Sequence, residues 1–260
     1  MMNEQPIGDP KRAAKLAYYL LKAVNKADRR FHMFDDDDTI LVAVSGGKDS
    51  LTLLDLLRRR RHMAQESYTL VAGHVRTDTQ CGPAVPETWL EGWCDAHDIP
   101  LVTETIEIAD ELEEIEGTKC FRCSWNRRKA LFEMADRLGC NKLAFGHHAD
   151  DIAETTLMNL FYSGRIERME PRVSFFDGTL IVIRPLAFVE QRDIIPFVKA
   201  SAFPIQGERC PESYKSKRNT VRKVLRQLEE GNNYIKRNIY NAIENYHETL
   251  RQAGCDPGEV

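Results

Sequence analysis

Apolar residues recur at helical spacing over residues 11–33, where Leu16, Tyr19, Leu20 and Ala23 predict an amphipathic helix. It ends before the acidic run Asp35–Asp38, which reads as a solvated turn. TILVAV (39–44) is short, β-branched and apolar along its length, as a strand buried on both faces should be. A Gly-containing turn and a helical stretch over 51–61 come next. Strand-like YTLVAGHV (68–75), a helix near 86–97, PLVTETI (100–106), a helix near 124–138, KLAFGH (142–147) and a helix near 149–162 follow in order. Strand and helix alternate at the period of βαβ units. The expected fold is therefore α/β, a doubly wound and mainly parallel sheet with helices on both faces.

Beyond residue 162 the alternation breaks. Segments at 172–176 and 179–183 flank Asp177-Gly178, a hairpin signal, and helical patterns follow at 190–200, 217–230 and 234–252. No internal repeat or low-complexity tract interrupts the chain. The expected organisation is a helical extension over 1–38, an α/β domain over 39–206 and a basic helical segment over 207–260.

With 260 residues, 42% of them hydrophobic and 29% charged, the chain is large enough to bury a full core. No run approaches the roughly 18–20 apolar residues of a membrane span. The first twenty residues carry charges and no unbroken apolar stretch, so export is not expected. Seven cysteines, an odd number in a chain this long, fit a cytoplasmic protein using thiols for metal or redox chemistry better than a disulfide scaffold. A net charge of −4 argues against indiscriminate nucleic-acid coating but leaves room for a local basic patch.

The chemistry concentrates in Ser45-Gly46-Gly47-Lys48-Asp49-Ser50, placed between a predicted strand and a predicted helix. Two glycines permit a tight turn, successive amides and the following helix N-terminus favour a polyanion, and the two serine hydroxyls add donors. The spacing is neither that of the Walker loop nor that of the dinucleotide fingerprint. Cys120-Phe121-Arg122-Cys123 sets two thiols within reach of one metal or cluster, followed by a helix. A zinc half-site is the plain alternative and a redox dithiol a weaker one. Cys94 and Cys140 fall in helical contexts as packing residues, Cys81 and Cys255 have no partner in the sequence, and Cys210 stands in a Pro/Gly loop. Three thiolates without a fourth would suit an iron–sulfur cluster with one open iron.

Gly146-His147-His148-Ala149-Asp150-Asp151 ends a predicted strand and opens a helix, where ligands of doubly wound sheets bind. Asp150 alone would serve as a cap, but two acids beside two histidines exceed that need. Arg127 and Arg128 stand one turn beyond the CxxC. From 207 to 237 there are nine Lys/Arg (209, 215, 217, 218, 222, 223, 226, 236, 237) against four Glu, with Tyr214 among them and Arg165 and Arg168 on a separate loop. That segment reads as a phosphate-binding footprint or as a solvated basic helix.

SGGKDS resembles the PP-loop of the ATP-pyrophosphatase superfamily, whose members cleave ATP between the α and β phosphates and adenylate a substrate oxygen. TILVAVSGGKDSLTLLDLL (39–57), the stretch from Lys119 to Ile166 and IVIRPLAFVEQRDI (181–194) narrow the likeness to the TtcA-type tRNA-cytidine 2-sulfurtransferases, also called tRNA 2-thiocytidine synthetases. The region around the third thiol, GERCPES, holds one cysteine where that family commonly carries two. The resemblance implies that Ser45, Gly46, Gly47, Lys48, Asp49 and Ser50, with Gly146 and His147, bind ATP with Mg²⁺. It implies that Cys120, Cys123 and Cys210 hold a [4Fe-4S] cluster. Asp151, then Asp150, are the candidates for proton handling or Mg²⁺ binding, and Lys48 for stabilising the departing pyrophosphate. Implied partners are tRNA, a sulfur donor such as a cysteine desulfurase and a second copy of the chain in a homodimer, with no membrane. The implied reaction makes 2-thiocytidine in the tRNA anticodon loop. Thiolation of a tRNA uridine, or a non-thiolating RNA-modifying enzyme with structural zinc, are the alternatives.

Overall fold

The computed structural model describes residues 8–79, 84–115, 119–207, 216–232 and 234–254. They form two compact units, residues 8–148 with 171–207 and residues 149–170 with 216–254. This division differs from the three consecutive segments expected along the chain, because the first helix packs into the core of the first unit while 149–170 group with the C-terminal helices.

The first unit is built on a six-stranded sheet. Its strands are β1 (Asp38–Ala43), β2 (Tyr68–Thr77), β3 (Leu101–Ile106), β4 (Lys142–Ala144), β5 (Arg172–Phe175) and β6 (Leu180–Ile183), arranged in the order β3-β2-β1-β4-β6-β5. All pairings are parallel except the β5–β6 hairpin. The hairpin turns where expected, with Asp177 at φ 54° and Gly178 at φ 92°. Because β2 and β3 lie on one side of β1 and β4 and β6 on the other, the strand order reverses between β1 and β4. A crevice opens at their carboxyl ends.

Residues of β1 alternate between the two faces. Ile40 and Val42 pack with helices α1 (Pro10–Phe31), α2 (Lys48–Arg61), α3 (Glu87–Asp95) and α7 (Gln191–Ser201). Leu41 and Ala43 pack with Leu131, Met134 and Ala135 of α5 (Lys119–Arg137). Such side chains contribute about 1.5–3 kcal/mol each when fully buried. A one-turn helix, α4 (Ala109–Glu113), precedes α5 and is absent from the sequence reading. Pro10 occupies the first turn of α1, Asp9 caps it by accepting from the Arg12 amide at 2.9 Å, and His32 ends it in the left-handed conformation.

The acidic run is an exposed turn over Asp35–Asp37, as expected, but its last residue opens β1 and is buried. Asp38 is 2% exposed and takes the Lys142 ammonium at 2.6 Å. Asp36 accepts from the Ser67 amide. These carboxylates tie the amino ends of β1, β2 and β4 together.

The second unit consists of α6 (Ala149–Ser163), α8 (Lys217–Glu229) and α9 (Ile235–Gln252). Ala153, Val221 and Leu225 form its core, with Leu157, Met158, Ile235 and Ile239 packed around them. No helix among the described residues is long and apolar enough to cross a membrane.

Candidate nucleotide and cluster site

The loop after β1 is shaped by its own hydroxyls. The Ser50 side chain donates to the Gly47 carbonyl at 3.0 Å and accepts from the Ser45 amide at 3.2 Å. The Ser45 and Ser50 oxygens lie 3.2 Å apart, and Ser45 Oγ accepts from the Gly47 amide at 3.4 Å. Gly46 has φ 78°, a left-handed backbone that glycine adopts without strain, and a Cβ there would meet the Ala84 Cβ at 3.0 Å. Gly47 then caps α2 without a side chain, so the first-turn amides of that helix are left to an external acceptor. Lys48 Nζ lies 2.6 Å from both carboxylate oxygens of Asp49.

The segment after β4 closes on this loop. A Cβ on Gly146 would stand 3.0 Å from the Asp49 carbonyl carbon and 3.1 Å from Ser50 Cα, so the two chains approach backbone to backbone. His148 is 3% exposed with Nε2 3.6 Å from Asp49 Oδ1, so it faces the loop. His147 is half-buried beside Phe145. The crevice thus joins Ser45–Ser50 to Gly146 and the two histidines.

His74 carries no local sequence signal, whereas Arg127 is already singled out in the sequence by its place beyond the CxxC. His74 on β2 donates from Nδ1 to the Val44 carbonyl at 2.6 Å, fixing the chain where it leaves β1. Arg127 donates to the Thr77 hydroxyl at 3.0 Å at the carboxyl end of β2, and its Nε finds no partner among the described residues. A pairing of residues 50 apart is invisible until the strands are laid side by side. Arg128, by contrast, faces solvent.

Cys120 and Cys123 are the second and fifth residues of α5, and the helix does not begin after them as the sequence reading has it. On a helix, positions three apart share a face, so both sulfurs can serve one group. Cys120 is exposed and Cys123 half-buried. Cys210 lies outside the described residues. Among those described, no group of three His, Cys, Asp or Glu side chains is arranged to hold a metal ion. Phe121, 74% exposed, and Trp125, flanked by Arg122 and Lys129, stand on the same turns.

Cys94 and Cys140 are buried as expected. Burial pushes the Cys94 thiol up to about 11, and the Cys140 thiol is raised for the same reason. Native protein treated with iodoacetamide at pH 8 should therefore be alkylated at Cys120 while Cys94 and Cys140 remain unmodified by peptide mass mapping. Rapid native labelling of Cys94 would contradict this packing.

In the second unit the predicted acids are engaged. Asp150 Oδ1 lies 2.6 Å from Lys236 Nζ, and Asp151 Oδ1 lies 3.6 Å from Arg218 Nη1. Burial pushes the Lys236 ammonium down, but Asp150 and Glu229 outweigh it and hold the group above its ordinary value. Glu154, 3% exposed, binds Arg222 at 2.6 Å. Three of the basic residues counted toward a phosphate footprint are thus spent on acids of α6 and α8. Arg168 is likewise internal, with 5% side-chain exposure between Glu170 and Glu244. Lys217, Lys223, Arg226 and Arg237 remain exposed, while 209, 214 and 215 lie outside the described residues.

Residues 15–229 match the family model of the PP-loop domain. The chain is 36% identical over 258 residues to the tRNA-cytidine(32) 2-sulfurtransferase of Anaeromyxobacter sp. (strain Fw109-5), covering 94% of this chain and 84% of that one. It is 38% identical over 232 residues to that of Geobacter sulfurreducens (strain ATCC 51573 / DSM 12127 / PCA), covering 86% and 88%. Among solved structures it is similar in fold to the U34-tRNA thiolase NcsA from Methanococcus maripaludis with its [4Fe-4S] cluster. That likeness has a TM-score of 0.69 at 21% identity and covers 89% of this chain and 80% of the other. The glycine-shaped loop at the β1–β4 reversal and the identity maintained over nearly the whole length lead to one assignment: the chain belongs to the PP-loop family and, within it, to the tRNA-cytidine(32) 2-sulfurtransferases.

Proposed function

We propose that this chain is an ATP-dependent tRNA sulfurtransferase that converts a cytidine of the anticodon loop to 2-thiocytidine. The observation that carries the reading is the closure of Gly146 and His148 on the Ser45–Ser50 loop at the β1–β4 crevice. The loop amides and the α2 N-terminus take the β and γ phosphates, and Lys48 exchanges Asp49 for the pyrophosphate as negative charge develops on it. The cytosine C2 oxygen attacks the α-phosphorus. A C–O–P linkage forms, pyrophosphate leaves, and sulfide attack at C2 then expels AMP. Mg²⁺ enters with the nucleotide, since it commonly takes one or two carboxylates plus substrate phosphates and needs no protein cage. Asp151 is the leading candidate to meet it or to handle a proton, with Asp150 second. Arg127, at the carboxyl end of β2, is a candidate to receive phosphate.

Cys120 and Cys123, soft donors on one helical face, suit a [4Fe-4S] cluster completed by Cys210. When bound, that cluster supplies an open iron able to hold sulfide for transfer. Phe121 and Trp125 offer planar faces on which the bases of a single-stranded loop can stack. The exposed cations of segment 207–260 contribute to RNA contact. A sulfur donor such as a cysteine desulfurase and a homodimeric assembly complete the proposal.

The test is anaerobic purification with iron, acid-labile sulfide and zinc quantified, then incubation with ATP, Mg²⁺, sulfide and unmodified bulk tRNA. The expected outcome is about four irons and four sulfides per chain, with 2-thiocytidine, AMP and pyrophosphate as products by mass spectrometry. 2-Thiouridine in its place moves the substrate to uridine. Zinc without labile sulfide and no thionucleoside overturns the proposal.

A further inference from the structure

Helix α1 has two distinct faces. Ala13, Ala17, Leu20, Leu21, Val24 and Ala27 are buried in the core of the first unit. Lys11, Arg12, Lys15, Lys22, Lys26 and Arg29 are all exposed. At 100° per residue these six cations fall within about one third of the helix circumference. None of the six is ion-paired with a described residue. The one acid of this helix, Asp28 in its last turn, is buried and taken by Arg60 at 2.6 Å, so no carboxylate of the helix interrupts the stripe. From Lys11 to Arg29 the stripe runs about 27 Å at 1.5 Å per residue.

Two exposed tyrosines sit in the same stripe. Tyr18 and Tyr19 are 57% and 55% exposed, edge to face at 5.6 Å, with Lys22 Nζ 4.6 Å from the Tyr18 ring centre. The helix start is joined to the crevice by a short route. The Asp9 amide donates to the Ala200 carbonyl, and Gln206 pairs with Ala84, the residue against Gly46.

We infer that the outer face of α1 is an RNA-binding surface, with its cations on the phosphate backbone of the tRNA substrate and Tyr18 or Tyr19 stacking on an exposed base. The inference rests on the tRNA reading above and extends it to a helix outside the loop and cysteine motifs. Charge complementarity selects the partner, since a stripe of six uncompensated cations in a chain of net charge −4 is what a polyanion requires. A membrane surface is disfavoured because the apolar face that would insert is consumed by the core. The paired tyrosines offer a base something a purely acidic peptide would not use.

The experiment compares the full chain, purified anaerobically, with the triple variant Lys15→Ala/Lys22→Ala/Arg29→Ala and with Tyr18→Ala/Tyr19→Ala and Tyr18→Phe/Tyr19→Phe. The probe is unmodified bulk tRNA, titrated at several salt concentrations and assayed for thiolation. Loss of three phosphate contacts should weaken binding about tenfold or more and flatten the log–log salt dependence by about 2–3. The alanine pair should lose about fivefold or more and the phenylalanine pair little. Every substituted side chain is exposed, and matching melting temperatures and ATP affinities will show that the fold is intact.

Unchanged tRNA affinity and salt slope in the triple variant overturn the inference while leaving the sulfurtransferase reading in place. So does loss of binding to phosphatidylglycerol vesicles or polyglutamate with tRNA binding retained. A wild-type chain that binds tRNA through this face and forms no thionucleoside overturns the reading and leaves the inference.

Discussion

Gly146→Ala is expected to lower ATP-dependent turnover about 100-fold or more while the protein remains folded. The added methyl would meet the Asp49 carbonyl carbon at 3.0 Å, its oxygen at 3.1 Å and Ser50 Cα at 3.1 Å. All three belong to the first turn of α2, so no side-chain rotation relieves the contact. The segment after β4 and the loop after β1 must part, and His148 moves away from Asp49 with them. Overpacking of this kind costs about 1–3 kcal/mol in stability, but it falls where the phosphates must be met to a fraction of an ångström. Gly92→Ala is the control: nothing lies within 4 Å of its Cβ position, and it sits within α3. There alanine should be neutral or stabilising by up to about 1 kcal/mol. Calorimetric ATP binding and ATP-dependent AMP release, measured on both variants, decide the matter. ATP affinity and turnover in Gly146→Ala within twofold of wild type would mean that the close approach does not shape the nucleotide site.

Much of the fold was legible because its signals are local. Helices α1, α7, α8 and α9 were placed to within about two residues by apolar spacing, and Asp177-Gly178 marked the one antiparallel hairpin. Ser45–Ser50 could be picked out for the same reason, since loop, hydroxyls and helix start are consecutive. What escaped depends on parallel pairing, which joins residues 30 to 100 apart. His74 beneath Val44 has no mark in the sequence, and Gly146 is grouped with Asp49 there only through the family resemblance, without the backbone-to-backbone approach. Charge counting failed in the same way. The nine cations near the C-terminus looked uncompensated beside their four local glutamates, yet Asp150, Asp151 and Glu154, more than 60 residues earlier, take three of them. The stripe on α1 has no mark in the sequence as a surface, because only burial of its opposite face shows that the cations are what remains outside.

Lys142→Ala should destabilise the first unit as much as truncation of a large core side chain does. The side chain is 1% exposed, with its ammonium 2.6 Å from Asp38 Oδ2 and 2.7 Å from Asp35 Oδ2. The two arms are unequal. Asp35 is 65% exposed at its side chain, and a solvated partner of that kind contributes little. Asp38 is 1% exposed there and also accepts from the Asn141 side-chain Nδ2 at 2.8 Å and the Asp35 backbone N–H at 2.7 Å. Removing the lysine strands a buried carboxylate, for which about 3–5 kcal/mol is the expected loss. In a protein of this size that lowers the melting temperature by about 10 °C. Adding Asp38→Asn, which withdraws the charge and keeps an acceptor for Asn141, should restore part of it. The exposed arm has its own pH signature. Lys142, by hydrogen bond and then by charge, holds the Asp35 carboxyl below the usual carboxylate range. Its contribution is therefore fully present above the unfolded value of about 3.9 and fades as pH falls through the lower folded one. Thermal unfolding of wild type, Lys142→Ala, the double variant and Asp35→Asn, at neutral pH and again near pH 3, separates the two arms. A Lys142→Ala protein melting within about 2 °C of wild type would show that the amino ends of β1 and β4 hold together without this ion pair.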